Sequence, residues 1–161
     1  RKRAQAKASA AAGKLLAAVS SLCNSLAVAE SIKTRTGLTE FNAASVPAIT
    51  ILDYVKRFVS YGRCSKECLV ISMVYVGRVR HLHPKLSFDS LSIHRLLGIS
   101  LVLAIKFHED KPCNNERYAK VCGITLKELN TLEVIFLKLL DWKTHVSMME
   151  FDDCTSKLIG V

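Results

Sequence analysis

Residues 96–105 read Leu-Leu-Gly-Ile-Ser-Leu-Val-Leu-Ala-Ile, apolar on almost every side. Wound as a helix, this segment offers no polar face to water. It must therefore be enclosed by other helices. Charge returns abruptly after it, at Lys106, His108, Glu109 and Asp110. The fold must supply a ring of elements around one central helix.

The flanking segments supply that ring. Leu15, Val19, Leu22, Leu26 and Ala29 recur at spacings of 4 and 3, which predicts an amphipathic helix over 14–30 that docks on the rest of the chain. Two heptads are too few for a coiled coil. Residues 34–45 read as a connection, and Pro47 suits the first turn of the next helix. That helix carries Ile49, Leu52, Val55 and Val59, with Gly62 as its stop. Ser65 can cap a helix through Leu69, Tyr75, Val76 and Val79 that ends before Pro84. A short helix fits Asn115–Cys122, stopped by Gly123. Thr125 with Glu128, and Ser147 with Glu150, form two capping boxes that open the last two helices. The first of these carries Leu126, Leu129, Leu132, Phe136 and Leu140, the second Phe151, Cys154 and Leu158. No segment alternates at period two, and seven glycines with three prolines build few turns. The expected fold is all-α in one domain, seven helices with one buried at the centre: a basic disordered leader (1–13), an N-terminal helix and connection (14–45), the helices that follow, and a C-terminal helix (142–161).

With 161 residues, half of them apolar, the chain can bury a real core. Its net charge of +9 is uneven: the first 36 residues hold seven basic residues against Glu30, and the remaining 125 carry only +3. Such an arm reads as a solvated leader, or as a surface for phosphates, acidic lipid or an acidic protein face. The same stretch loosely imitates a signal peptide or a mitochondrial presequence, but Ser20, Ser21 and Asn24 interrupt its apolar run. Eighteen consecutive apolar residues occur nowhere, so no membrane span is expected. The six cysteines form no C-x-x-C pair and read as reduced thiols of an intracellular protein, nuclear, cytoplasmic or both. Cys64, Cys68, His81 and His83 match no standard zinc spacing.

Enzyme motifs are missing: there is no phosphate-binding glycine loop, no G-x-S-x-G and no H-E-x-x-H. His108, Glu109 and Asp110 read as a solvent-facing helix end with no nucleophile beside them. Two charged residues are harder to dismiss. Lys106 directly follows the all-apolar helix, and Glu133 shares a stripe with Leu126, Leu129, Leu137 and Leu140. A carboxylate there needs water, a cation or backbone amides. Lys106 reads equally as a lysine snorkelling at a helix C-terminus, and Glu133 as half of an internal salt bridge, with Lys106 as its candidate partner.

A string of motifs covers residues 14–158. Tyr54-Val55-x-Arg57-Phe58 and Val74-Tyr75-Val76-x-Arg78 come first, then Ser92-Ile93-His94-Arg95-Leu96-Leu97 and Ala104-Ile105-Lys106-Phe107-x-x-Asp110. Asn114-Asn115-x-x-Tyr118-Ala119-Lys120-Val121-x-Gly123-Ile124 and Leu129-Asn130-x-Leu132-Glu133-x-x-Phe136-Leu137 complete it. In this order they resemble the P-type, or U-type, cyclins, the group typified by the cyclin of the fungal phosphate-starvation pathway. The resemblance implies a five-helix cyclin box over 46–141 with flanking helices. It also implies a regulatory subunit, without catalytic groups or cofactors, that binds and activates a cyclin-dependent protein kinase in cell-cycle or phosphate-signalling control. In cyclins the lysine of A-x-K-F and the glutamate of L-N-x-L-E reach the backbone before the kinase's C helix, which assigns kinase binding to Lys106 and Glu133. The chain departs from the family at Cys122, where a glycine is usual, and it lacks the Met-Arg-Ala-Ile-Leu docking element.

Two other classes compete. A nucleic-acid binder of the same fold would set Lys and Arg along docking faces, whereas the excess charge here precedes residue 36. A helical scaffold without activating ability is the other. The expected partner is the kinase, in a heterodimer, with no small-molecule substrate, membrane or nucleic acid.

Overall fold

A computed structural model describes residues 2–31 and 39–160. The side chains of the basic residues at 1–7, and all of Lys33 and Arg35, lie outside the described residues, as does the 34–38 part of the expected connection. Seven helices follow: α1 (Lys2–Ser31), α2 (Ile51–Tyr61), α3 (Lys66–Leu82), α4 (Ile93–His108), α5 (Asn115–Cys122), α6 (Leu126–Leu139) and α7 (Met148–Ile159). No strand occurs among the described residues.

Helix α4 is the enclosed one: twelve of its sixteen residues are buried, including the whole run from Leu96 to Ile105. It packs against α2, α3, α5 and α6. Its own Gly98 lets the Tyr54 ring of α2 lie against the backbone, and a β-carbon there would collide with the Tyr54 hydroxyl. Helices α1 and α7 lie outside this group: α1 packs on α2 and α3, α7 packs on α3, and the two touch each other. The five helices α2–α6 thus form one unit with α1 and α7 on its flank.

Local signals explain most boundaries. Ser65, Thr125 and Ser147 cap α3, α6 and α7, and both capping boxes are complete. Gly123 closes α5 in the left-handed region, at φ 72°. Pro47, expected inside the first turn of α2, lies before it. Thr50 caps instead, its hydroxyl accepting from the Asp53 N–H at 3.1 Å. α2 and α5 are clasped end to end. Arg117 Nε donates to Tyr61 O at 2.7 Å, and Arg57 Nη1 donates to Val121 O at 3.4 Å. Each guanidinium thus meets carbonyls at the negative end of the opposite helix.

Three expectations need correction. The backbone is helical from Lys2, where the basic, alanine-rich composition suggested a disordered leader to residue 13. Alanine is the strongest helix former, so the winding outruns the apolar stripe. Within α1, Leu22 is 41% exposed and Cys23 is buried in its place, beside Leu15, Val19 and Leu26. The segment Ser9–Glu30 reaches a mean hydropathy of 1.4 and is long and apolar enough by composition to cross a bilayer. An unbroken apolar run is not required for that average. Here its Leu15–Val19–Cys23–Leu26 face packs into the core.

The charged end of α4 faces solvent at His108 and Asp110, as expected, while Glu109 is half-buried. Glu109 accepts the Cys68 thiol at 3.2 Å, and bonding to Ser65 at the start of α3 holds its carboxyl below the usual range. Tyr75 gives its hydroxyl proton to Thr144 O at 2.7 Å, so its oxygen receives His108 Nε2 at 3.2 Å. Cys64 and Cys68 sit at one end of α3 and His81 and His83 at the other, about 20 Å away at 1.5 Å per residue.

Candidate functional site

Lys106 and Glu133 meet. Lys106 lies in the last turn of α4, where the helix dipole favours a cation. Glu133 is in the middle of α6, between Leu132 and Val134. Lys106 Nζ donates to Glu133 Oε1 at 2.8 Å. The two side chains differ in exposure, 35% for Lys106 and 9% for Glu133.

A third helix joins them. Asn115, the first residue of α5, accepts from Lys106 Nζ at 3.0 Å and donates to Glu133 Oε2 at 2.7 Å. Its remaining N–H goes to Asn130 Oδ1 at 2.8 Å. This pattern fixes the amide's orientation, because the reverse would set NH₂ against an ammonium and a carbonyl against two oxygens. The junction of α4, α5 and α6 is therefore a closed network of two charges and two carboxamides.

Apolar groups flank it. Phe107 follows Lys106 and is 52% exposed, and Val134 follows Glu133 at 45%. Leu137, one turn beyond Glu133, is only partly covered. Below lies Cys122. Burial pushes its thiol up to about 12, with the Glu133 carboxylate adding to the rise and a bond to Tyr54 opposing it. Cys122 is thus an uncharged packing group at the end of α5. Chemically, the junction can donate to a carbonyl and accept from an amide beside an apolar surface. It contains no nucleophile.

Sequence reasoning flagged both charged residues and missed Asn115 and Asn130. Asn130 is three residues before Glu133 and hence on the same helix face, a signal that was readable. Asn115 has no such local signal, since it reaches the site only through the turn between α4 and α5.

Comparison with known proteins bears on this arrangement. The Cyclin family model matches residues 1–144. Cyclin-U4-1 of Arabidopsis thaliana is 38% identical over 144 residues, covering 86% of this chain and 71% of that protein. Cyclin-P4-1 of Oryza sativa subsp. japonica is 40% identical over 100 residues, 62% of this chain and 47% of that one. The Nuc-1 negative regulatory protein preg of Neurospora crassa is 33% identical over 115 residues, 71% of this chain and 24% of that protein. The chain thus spans about half the length of Cyclin-P4-1 and about a quarter of the Neurospora protein. The family match over most of the chain, the all-helical fold and the similarity to U-type and P-type members agree: the chain belongs to the cyclin family, a regulatory rather than a catalytic one.

Proposed function

We propose that this cyclin binds a cyclin-dependent protein kinase as a heterodimer and activates it, with Lys106 and Glu133 as the polar centre of the contact. The observation that carries the reading is the network itself. A lysine and a glutamate from two helices stand together at the edge of the core, beside exposed Phe107 and Val134. Lys106 keeps a third N–H, and each Glu133 oxygen keeps a lone pair, so a partner's carbonyl and amide can be met without breaking the pair. Because the two charges already neutralise each other, covering them costs less than covering either alone. Charge-assisted bonds around an apolar patch can hold the kinase C helix inward, which sets its Lys–Glu ion pair. The cyclin then acts by binding the active conformation more tightly. On this reading the protein works inside the cell, in the nucleus, the cytoplasm or both. Cell-cycle and phosphate-signalling control are the two settings.

The test is titration against purified cyclin-dependent kinases, read by calorimetry and by phosphorylation rate. One kinase should bind and gain activity. Lys106→Ala and Glu133→Ala should each weaken that binding, by about 2–4 kcal/mol for desolvated charge-assisted bonds. Unchanged affinity in both variants would remove the proposed contact and leave the fold untouched.

A further inference from the structure

Helix α5 takes part in the site through one side chain, whose carbonyl and both N–H groups are all engaged within it. Asn115 uses its carbonyl on Lys106 and both N–H groups, one on Glu133 and one on Asn130. Lysine and glutamate are among the side chains that lose most rotamer freedom when held in place. A direct Lys–Glu contact alone leaves both free to swing as a pair, because one bond at 2.8 Å does not fix two long side chains. The second bonds, from Asn115, do fix them. They turn one contact into a three-cornered frame in which the ammonium, the carboxylate and the amide constrain one another.

We infer that Asn115 is the positioning residue of the kinase-binding site: its carboxamide pre-orders Lys106 and Glu133, with Asn130 as its anchor on α6. This rests on the proposed role of Lys106 and Glu133. Asn115 itself need not touch the kinase. Its contribution is that the partner meets side chains already in their bound rotamers, so ordering them is not charged against association. A carboxamide suits the place because it offers an acceptor to the cation and donors to the anion at once. A carboxylate or an ammonium would satisfy one and repel the other.

The experiment is a double-mutant cycle on the full chain, using the kinase that binds it. Asn115→Ala should weaken binding about tenfold or more, the scale of two rotamer-rich side chains ordered on association. In the Glu133→Ala background, adding Asn115→Ala should cost far less, because one of the two groups it orders is gone. The isosteric Asn115→Asp should also weaken binding, although it fills the same volume, since it turns a donor on Glu133 into a repelling oxygen. A readout that does not need the kinase is NMR of the Lys106 ammonium in the free chain. Its side-chain order should be high in the native protein and fall in Asn115→Ala. Thermal melts show whether each variant is folded.

An Asn115→Ala effect that simply adds to that of Glu133→Ala would overturn the inference, and so would unchanged Lys106 order in the free variant. If Lys106→Ala and Glu133→Ala weaken binding while Asn115→Ala and Asn115→Asp do not, the kinase-contact reading stands and the positioning role falls. If neither charged residue matters for binding, the kinase-contact reading fails and the positioning role for that contact fails with it; the NMR measurement then shows separately whether the frame exists.

Discussion

Removing one member of the Lys106–Glu133 pair should destabilise the isolated domain unequally. Lys106→Ala leaves the Glu133 carboxylate, 9% exposed, with Asn115 Nδ2 as its remaining partner. Glu133→Ala leaves the Lys106 ammonium, 35% exposed, with Asn115 Oδ1 and access to water. Stranding one charge of a fully buried pair costs about 3–5 kcal/mol, whereas exposed pairs are worth about 0–1 kcal/mol. The carboxylate lies near the first limit and retains a neutral donor, so about 2–3 kcal/mol is expected for Lys106→Ala. The ammonium lies near the second, so Glu133→Ala should cost about 1 kcal/mol or less. The double variant should cost less than the two singles together by about 1–2 kcal/mol, the sign of a direct contact. Urea unfolding at neutral pH, with the slope unchanged among variants, measures all three. A Glu133→Ala loss equal to or greater than that of Lys106→Ala would refute this account of which charge the core encloses. Additive singles would refute the contact.

Other consequences follow from packing and ionisation. Leu15→Ala and Leu26→Ala should each cost about 2–4 kcal/mol in thermal or urea unfolding, and Leu22→Ala under about 1 kcal/mol, because the first two are buried and Leu22 is 41% exposed. The bond from Arg78, aided by Ser147, holds Glu150 down to about 2 from the ordinary 4.5. A depressed carboxyl stabilises the fold above its unfolded value and loses that contribution as pH falls from about 4.5 to 2. Since the Glu150 side chain is 45% exposed, the loss is about 1 kcal/mol after screening, and Glu150→Gln should flatten that part of a pH–melting series. Cys23 and Cys68 have thiols pushed up to about 12 by burial, and Cys64 is pushed higher still. These three should react slowly with a thiol reagent at pH 8 in the native protein, and all six thiols should react at once after denaturation without reductant.

The helices were legible because their evidence is local. A residue such as Thr125 or Ser147, with a glutamate three positions on, defines a helix start wherever it occurs, and the periodic apolar positions define the face. The errors lie where the deciding information was elsewhere. In α1, Leu22 is the better hydrophobe, yet the buried line runs through Val19, Cys23 and Leu26, with Ser20 buried beside it at 7%. The stripe of Leu15, Val19, Leu22, Leu26 and Ala29 takes in residue 22, and only the neighbouring helices reveal that the face has turned toward Ser20 and Cys23. Pro47 was a permitted helix start, but Thr50 with Asp53 is a stronger one, each bonding to the other. At the site, Lys106 and Glu133 were visible as charges in the wrong surroundings. Asn115 carries no charge and breaks no pattern, so the motif that contains it gives no hint of its role.

The position of the site follows from the feature that dictates the fold. A helix apolar on all sides can be covered along its length but must leave the core at its ends, and the first residues beyond Ile105 carry the change to a polar surface. A cation at that point is favoured by the C-terminal dipole of α4 and pulls in the nearest carboxylate, Glu133, whose own helix is pinned across α4 by Leu129, Leu132 and Phe136, all buried. The chain then turns sharply from α4 into α5, which returns Asn115 to the same corner nine residues after Lys106. Two of the three helices meeting there are held by apolar packing, and the third, α5, is further tied to α2 by Arg57, Arg117 and the Tyr118 hydroxyl on Gly62 O. The charged corner is thus tied by hydrogen bonds and packing to the core that ends at it. Such anchoring is what a subunit needs if it is to impose one conformation on a more mobile partner.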